Sequence, residues 1–100
     1  MKLQIDNNVR REIQEVAEYY EARSPGLGDR FWQEVDAHVA WILANPMLPR
    51  LRRGDYRRVN LKVFPHYIAY AIRGETILLL AVAHGHRRPE YWTEKPGGCG

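Results

Sequence analysis

The chain has 100 residues, 45% hydrophobic and 27% charged, with a net charge of +3; a chain of this length buries roughly two thirds of its unfolded surface, which suits one domain with one modest core. Its longest apolar run, Ile77 to Ala83, is strand-sized and far short of the roughly 20 residues of a membrane span. The first residues hold no apolar core followed by a small-residue cleavage site, so no secretion signal and a cytoplasmic location are expected. The one cysteine, Cys99, excludes an internal disulfide and leaves too few thiols for a zinc site.

Leu3 and Ile5 alternate with polar neighbours and predict a short first strand. Asn7 or Asn8 is the expected cap of the helix that follows, because an Asn side chain can accept from a free amide of the first turn. Val9, Ile13, Val16, Ala17 and Tyr20 then recur at helical spacing, with Arg10, Arg11, Glu12, Glu15 and Glu18 assigned to the solvent face. Pro25, Gly26 and Gly28 break this pattern, and Asp29 is the expected cap of a second helix. Phe31, Val35, Val39 and Ile42 share one face of that helix. It should end near Asn45, since Pro46 disfavours helical geometry in the residue before it. The short connection predicts a helical hairpin.

Met47 to Asp55 reads as a basic loop. After Gly54 the period changes from helical to alternating. Val59, Leu61 and Val63 should face one way, with Arg58, Asn60 and Lys62 the other. Ile68, Tyr70 and Ile72 mark a further strand, and Arg73-Gly74-Glu75 a tight turn. Ile77 to Ala83 is apolar at every position, as a central strand buried on both faces would be. The sum is an α+β domain over residues 1–95, with the order β-α-α-β-β-β and a helical hairpin packed on a small antiparallel sheet. Pro96 to Gly100 reads as a disordered tail on composition. Phe31, Trp41 and Tyr70 are assigned to the core.

Charge divides along the chain. Residues 1–48 hold five Lys or Arg and eight Asp or Glu, a net of −3; residues 49–100 hold ten and four, a net of +6. The second half therefore carries a field that attracts nucleic acid or an acidic protein.

Several stretches, in order and at their spacings, resemble the RelE/ParE toxin family of type II toxin–antitoxin systems. They are Ala17-Glu18-Tyr19-Tyr20-Glu21, Ser24-Pro25-Gly26-Leu27-Gly28 with Phe31, Asn45-Pro46, Tyr56-Arg57-Arg58-Val59, Phe64-Pro65-His66-Tyr67-Ile68-Ala69-Tyr70, and Ala81 through His84, His86, Arg87 and Arg88 to Tyr91-Trp92. The resemblance spans nearly the whole chain. It implies a toxin neutralised by a cognate antitoxin, whose acidic tail would suit the basic second half. It also implies that promoter DNA is contacted only through the antitoxin. No cofactor and no membrane partner are expected.

The resemblance leaves two targets. RelE-like members cut messenger RNA on the ribosome, whereas ParE-like members poison DNA gyrase and are not nucleases. Metal-independent RNA cleavage needs a proton acceptor, cations around the phosphate and an acid for the leaving oxygen. Arg58, Lys62, His66, Arg87 and Tyr91 are the candidates for that chemistry. Arg57, Arg58, Lys62, His84, His86, Arg87 and Arg88 are the candidates for binding a target or the antitoxin. Each has a plainer reading: Arg58 and Lys62 as the solvated side of a sheet, Tyr91-Trp92 as packing of the chain end. His84 and His86 share strand parity but lack a third ligand, so no metal is expected. RelE-like nucleases often carry an arginine three residues before the position of Tyr70; here Tyr67 stands there, after Phe64-Pro65, a pattern more typical of ParE-like members. The favoured expectation is a ParE-like toxin. The alternatives are a RelE-like endoribonuclease and an inactive paralogue that still binds its antitoxin.

Overall fold

The computed structural model describes residues 1–85. Its elements are β1 (Lys2–Ile5), α1 (Asn7–Arg23), α2 (Leu27–Ala44), β2 (Arg57–Asn60), β3 (His66–Arg73) and β4 (Thr76–His84). This is the expected β-α-α-β-β-β order. The sheet runs β1-β4-β3-β2. It is antiparallel through β2, β3 and β4, as read from the sequence, but mixed overall, because β1 joins β4 in parallel. The hairpin of α1 and α2 carries the chain from β1 across the sheet, and such a crossover permits parallel pairing.

Local chemistry sets the helix ends. Asp6, rather than Asn7 or Asn8, caps α1: its carboxylate accepts from the amides of Asn8 at 2.7 Å and Val9 at 3.3 Å. A cap of this type contributes about 1 kcal/mol. Asp29 lies in the first turn of α2 and does not cap it. The Glu21 carboxylate, reaching over from α1, takes that part by accepting from the amides of Gly26 and Gly28. Gly26 enters α2 with φ +89°, a left-handed conformation that disfavours side chains. The second helix ends at Ala44, with Asn45 as its C-cap.

Val9, Ile13 and Ala17 of α1 and Phe31, Val35, Val39 and Ile42 of α2 pack onto Ile68, Tyr70, Ile77, Leu79 and Val82. The other face of the sheet holds a second cluster of Tyr56, Tyr67, Ala69, Ala81 and Ala83. With neighbours on both edges and clusters on both faces, β4 is the central strand its composition predicts. Its register against β3 shifts at Ala69/Tyr70, where Leu80 is the extra residue.

Two expectations about burial fail. Glu12 is not on the solvent face: its Oε1 accepts from the Val82 amide at 3.2 Å. β1 ends opposite Leu79, so this part of β4 has no β1 partner, and the carboxylate supplies the missing acceptor. Trp41 is 40% exposed and Val63 is 62% exposed. β2 stops at Asn60, so the alternation read through Val63 ends early. There the Glu34 carboxylate of α2 draws in the amides of Lys62 at 2.7 Å and Val63 at 2.9 Å.

Helix packing depends on Gly28. A Cβ there would lie 2.6 Å from the Ala17 carbonyl oxygen and 3.0 Å from Glu21. Gly28→Ala is expected to push α2 off α1 and cost about 1–3 kcal/mol, read as a lower urea midpoint; an unchanged midpoint would refute this account of the hairpin.

Candidate functional site

His66 and His84 face each other across β3 and β4. Their parity, shared with Ile68 and Val82, turns both toward the helices. The rings stand 5.0 Å apart, edge to face. Phe31 lies 5.3 Å and Tyr20 6.0 Å from His66. The pair opens into a groove of about 550 Å³ beneath α1, bounded by Glu15, Tyr19, Tyr20 and Arg23. Arg23 lies over the Tyr19 ring at 4.8 Å.

His66 is 7% exposed, and its Nδ1 is buried with no hydrogen-bond partner among the described residues. Burial, and secondarily the neighbouring His84, push its pKa from 6.5 down to about 4. Its imidazole is therefore neutral near pH 7 and a weak proton acceptor, because a base works best with a pKa near the working pH. Burial likewise raises the phenol of Tyr20 and that of Tyr70.

Among the described residues, the basic candidates are dispersed. Arg57 donates from Nη1 to the carbonyls of Pro49 at 2.6 Å and Met47 at 3.2 Å. With the Tyr70 hydroxyl, which donates to the Pro46 carbonyl at 2.8 Å, it holds down the loop after α2. Arg58 occupies the sheet face away from the helices, its guanidinium 4.3 Å above the Tyr67 ring. Tyr67, at the position where a RelE-like nuclease carries arginine, is 3% exposed. Lys62 is exposed beyond the end of β2, beside a second groove of about 630 Å³ between α2 and β2. Arg58 and Lys62 therefore do not share a strand face, and His66 lies on the opposite face from Arg58. His86, Arg87, Arg88 and Tyr91, and the tail after Lys95, lie outside the described residues.

The second groove went unseen in the sequence. Trp41, a large aromatic, reads most simply as core, and Val63 continues the alternation of Val59 and Leu61. Met47, Leu48 and Leu51 are exposed in the loop after α2 and do not line this groove. Among the described residues, no group of three or more His, Cys, Asp or Glu is placed to hold a metal ion. No helix of the described residues is long and apolar enough to cross a membrane.

Comparison with known proteins gives a consistent answer. The family model of the ParE toxin of the type II toxin–antitoxin system parDE matches residues 3–89. The Toxin ParE2 proteins of two strains of Mycobacterium tuberculosis are each 33% identical over 91 residues, covering 88% of this chain and 85% of their own length. A solved chain from the chromosomal ParDE TA system of P. aeruginosa superposes with a TM-score of 0.74 over 84% of this chain and 95% of its own. At 17% identity, that last likeness concerns the fold.

Because the folded pKa of His66 lies below the unfolded value, the unfolded chain binds more protons between about pH 4 and 6.5. The stability tied to this group is complete above pH 6.5, declines as pH falls through that window, and levels off below about 4. His66→Phe should flatten this part of the curve of urea midpoint against pH; an acid slope equal to that of the parent chain would show that His66 is not its source.

Proposed function

The chain belongs to the ParE toxin family of type II toxin–antitoxin systems, and from that premise we propose that it arrests growth by binding DNA gyrase and blocking replication. In this reading it acts in the cytoplasm, and a cognate antitoxin holds it inactive. Contact with promoter DNA comes only through that antitoxin.

The observation that carries the choice of target is the dispersal of Arg57, Arg58 and Lys62, the basic candidates among the described residues, around a buried His66. A nuclease must bring a proton acceptor and phosphate-binding cations to one point within hydrogen-bond reach. Arg58 stacks on Tyr67 on one face of the sheet, His66 is packed under α1 on the other, and Lys62 stands past the strand end. Cations spread over a surface suit a protein that binds a large partner, because each contributes to long-range attraction without a shared point of attack. Arg58, Lys62 and His84, with His86, Arg87 and Arg88 of the C-terminal segment, are proposed to contact gyrase or the antitoxin. Arg57 is proposed to support that surface through its hold on the loop.

Pulse labelling in bacteria just after induction without antitoxin tests the target. Thymidine incorporation should fall before amino-acid incorporation, with a rise in the DNA-damage response. Early collapse of protein synthesis would instead favour cleavage of ribosome-bound messenger RNA and put Arg58, Lys62, His66, Arg87 and Tyr91 back as catalytic candidates. Normal labelling of both would mark an inactive, antitoxin-binding paralogue.

The surface has its own test. The double variant Arg58→Ala, Arg87→Ala should lose growth arrest while keeping the far-ultraviolet circular dichroism of the parent. Full arrest by that folded variant would remove the surface from the reading.

A further inference from the structure

The loop from Pro46 to Asp55 carries three exposed apolar side chains within five positions: Met47 is 65% exposed, Leu48 71% and Leu51 53%. None of them lines either groove. Single apolar residues on a surface are ordinary, but a group of them on one short loop marks an interaction site. The backbone beneath them is held at several points. The Tyr70 hydroxyl donates to the Pro46 carbonyl, and Arg57 donates to those of Met47 and Pro49. The Leu48 amide donates to the Asn45 carbonyl at 3.2 Å, and the Arg52 amide to that of buried Tyr56 at 2.7 Å. Pro46 and Pro49 fix φ at two positions. A segment ordered in this way has already lost freedom that binding would otherwise remove.

Chemistry and shape define what fits this loop. Residues 46–55 contain three arginines, Arg50, Arg52 and Arg53, one aspartate and no lysine. Arg and Met are enriched in protein–protein interfaces, and Lys is depleted. The loop therefore suits a protein surface that offers an apolar pocket to Met47, Leu48 and Leu51 and carboxylates to Arg50 and Arg53. Side chains this exposed stand out from the molecule, and a protruding tip needs a concave site on a folded partner. An extended antitoxin segment has no concavity to offer. A large folded enzyme does.

We propose that this loop is a principal contact of the chain with DNA gyrase, seating Met47, Leu48 and Leu51 in an apolar pocket of that enzyme rimmed by acidic residues. This rests on the gyrase reading above and names a surface that carries it. Arg50 and Arg53, at the rim, act mainly on the rate of encounter. The apolar tips, once buried, act on the lifetime of the complex. Arg57 and Tyr70 are positioning residues: they set the shape of the loop without touching the target.

The test uses the full chain and purified gyrase holoenzyme, with the parent chain measured first. The double variant Met47→Ser, Leu48→Ser should bind gyrase about tenfold or more weakly, chiefly through faster dissociation. Leu51→Ser should weaken binding in the same direction. Arg50→Glu, Arg53→Glu should slow association and reduce its dependence on salt. All three should keep the parental affinity for antitoxin, and circular dichroism checks their folds. Parental gyrase affinity in the folded serine variants overturns the assignment of this loop while leaving the gyrase reading intact. Loss of antitoxin binding with gyrase binding unchanged gives the loop to the antitoxin and overturns it as well. Binding of the parent to duplex DNA alone or to phosphatidylglycerol vesicles that the serine variants lose, with gyrase affinity unchanged, gives the loop to nucleic acid or membrane and does the same. If the parent chain does not bind gyrase, the gyrase reading falls and this inference falls with it.

Discussion

Main-chain amides that the ladders and helices leave over must find acceptors, and in this protein three helix glutamates supply them. Glu12 reaches Val82 past the end of β1, Glu21 takes the amides of Gly26 and Gly28 at the hairpin turn, and Glu34 gathers those of Lys62 and Val63 past the end of β2. The contacts to Gly28 and Val82 are part-buried, where an amide without a partner costs about 1–3 kcal/mol, whereas those to Gly26, Lys62 and Val63 are exposed and there the carboxylate takes the place of water. These contacts therefore do more than decorate the interface. Glu12 fixes α1 over the open stretch of β4, Glu34 fixes α2 at the end of β2, and Glu21 fixes the two helices to each other. The close approach at Gly28 and Ala17 then sets the spacing at which Phe31 meets Tyr20 and Phe64.

The same contacts bear on charge. The N-terminal half is acidic by count, yet three of its carboxylates face main-chain amides of this chain. The basic character of the second half is displayed on the loop before β2, on the sheet face beyond Tyr67 and at the strand end near Lys62. A family whose proposed work is to grip a large partner gains from such an arrangement, because attraction over a broad surface speeds encounter. The histidine pair contributes differently. His66 is held neutral among aromatic rings, so its immediate part is in packing, and His84 marks where that packing opens to the α1 groove.

The two grooves divide the molecule into surfaces of unlike chemistry. The α1 groove mixes carboxylates, tyrosines, an arginine and the histidine pair. Between α2 and β2, the groove is apolar at its mouth, basic at its rim and continuous with a strand edge.

Local sequence determined the element types and their order. Helical spacing from Val9 to Tyr20 and from Phe31 to Ile42, the break at Pro25-Gly26, the stop before Pro46 and the apolar run of β4 depend on neighbours a few residues apart, which periodicity and turn chemistry record directly. The family was legible too, because its motifs lie in short stretches. Other features depended on residues distant in the chain. Whether β1 joined β4 in parallel, whether Glu12 faced water or Val82, and whether Trp41 and Val63 were core or groove were set by what the folded chain brought alongside. A helical or strand period names a face; it does not say how far the opposite element extends to cover it. β1 and β2 are each four residues long. Their early ends left the gaps that glutamates filled and the groove that nothing among the described residues fills, and only the tertiary structure decided both.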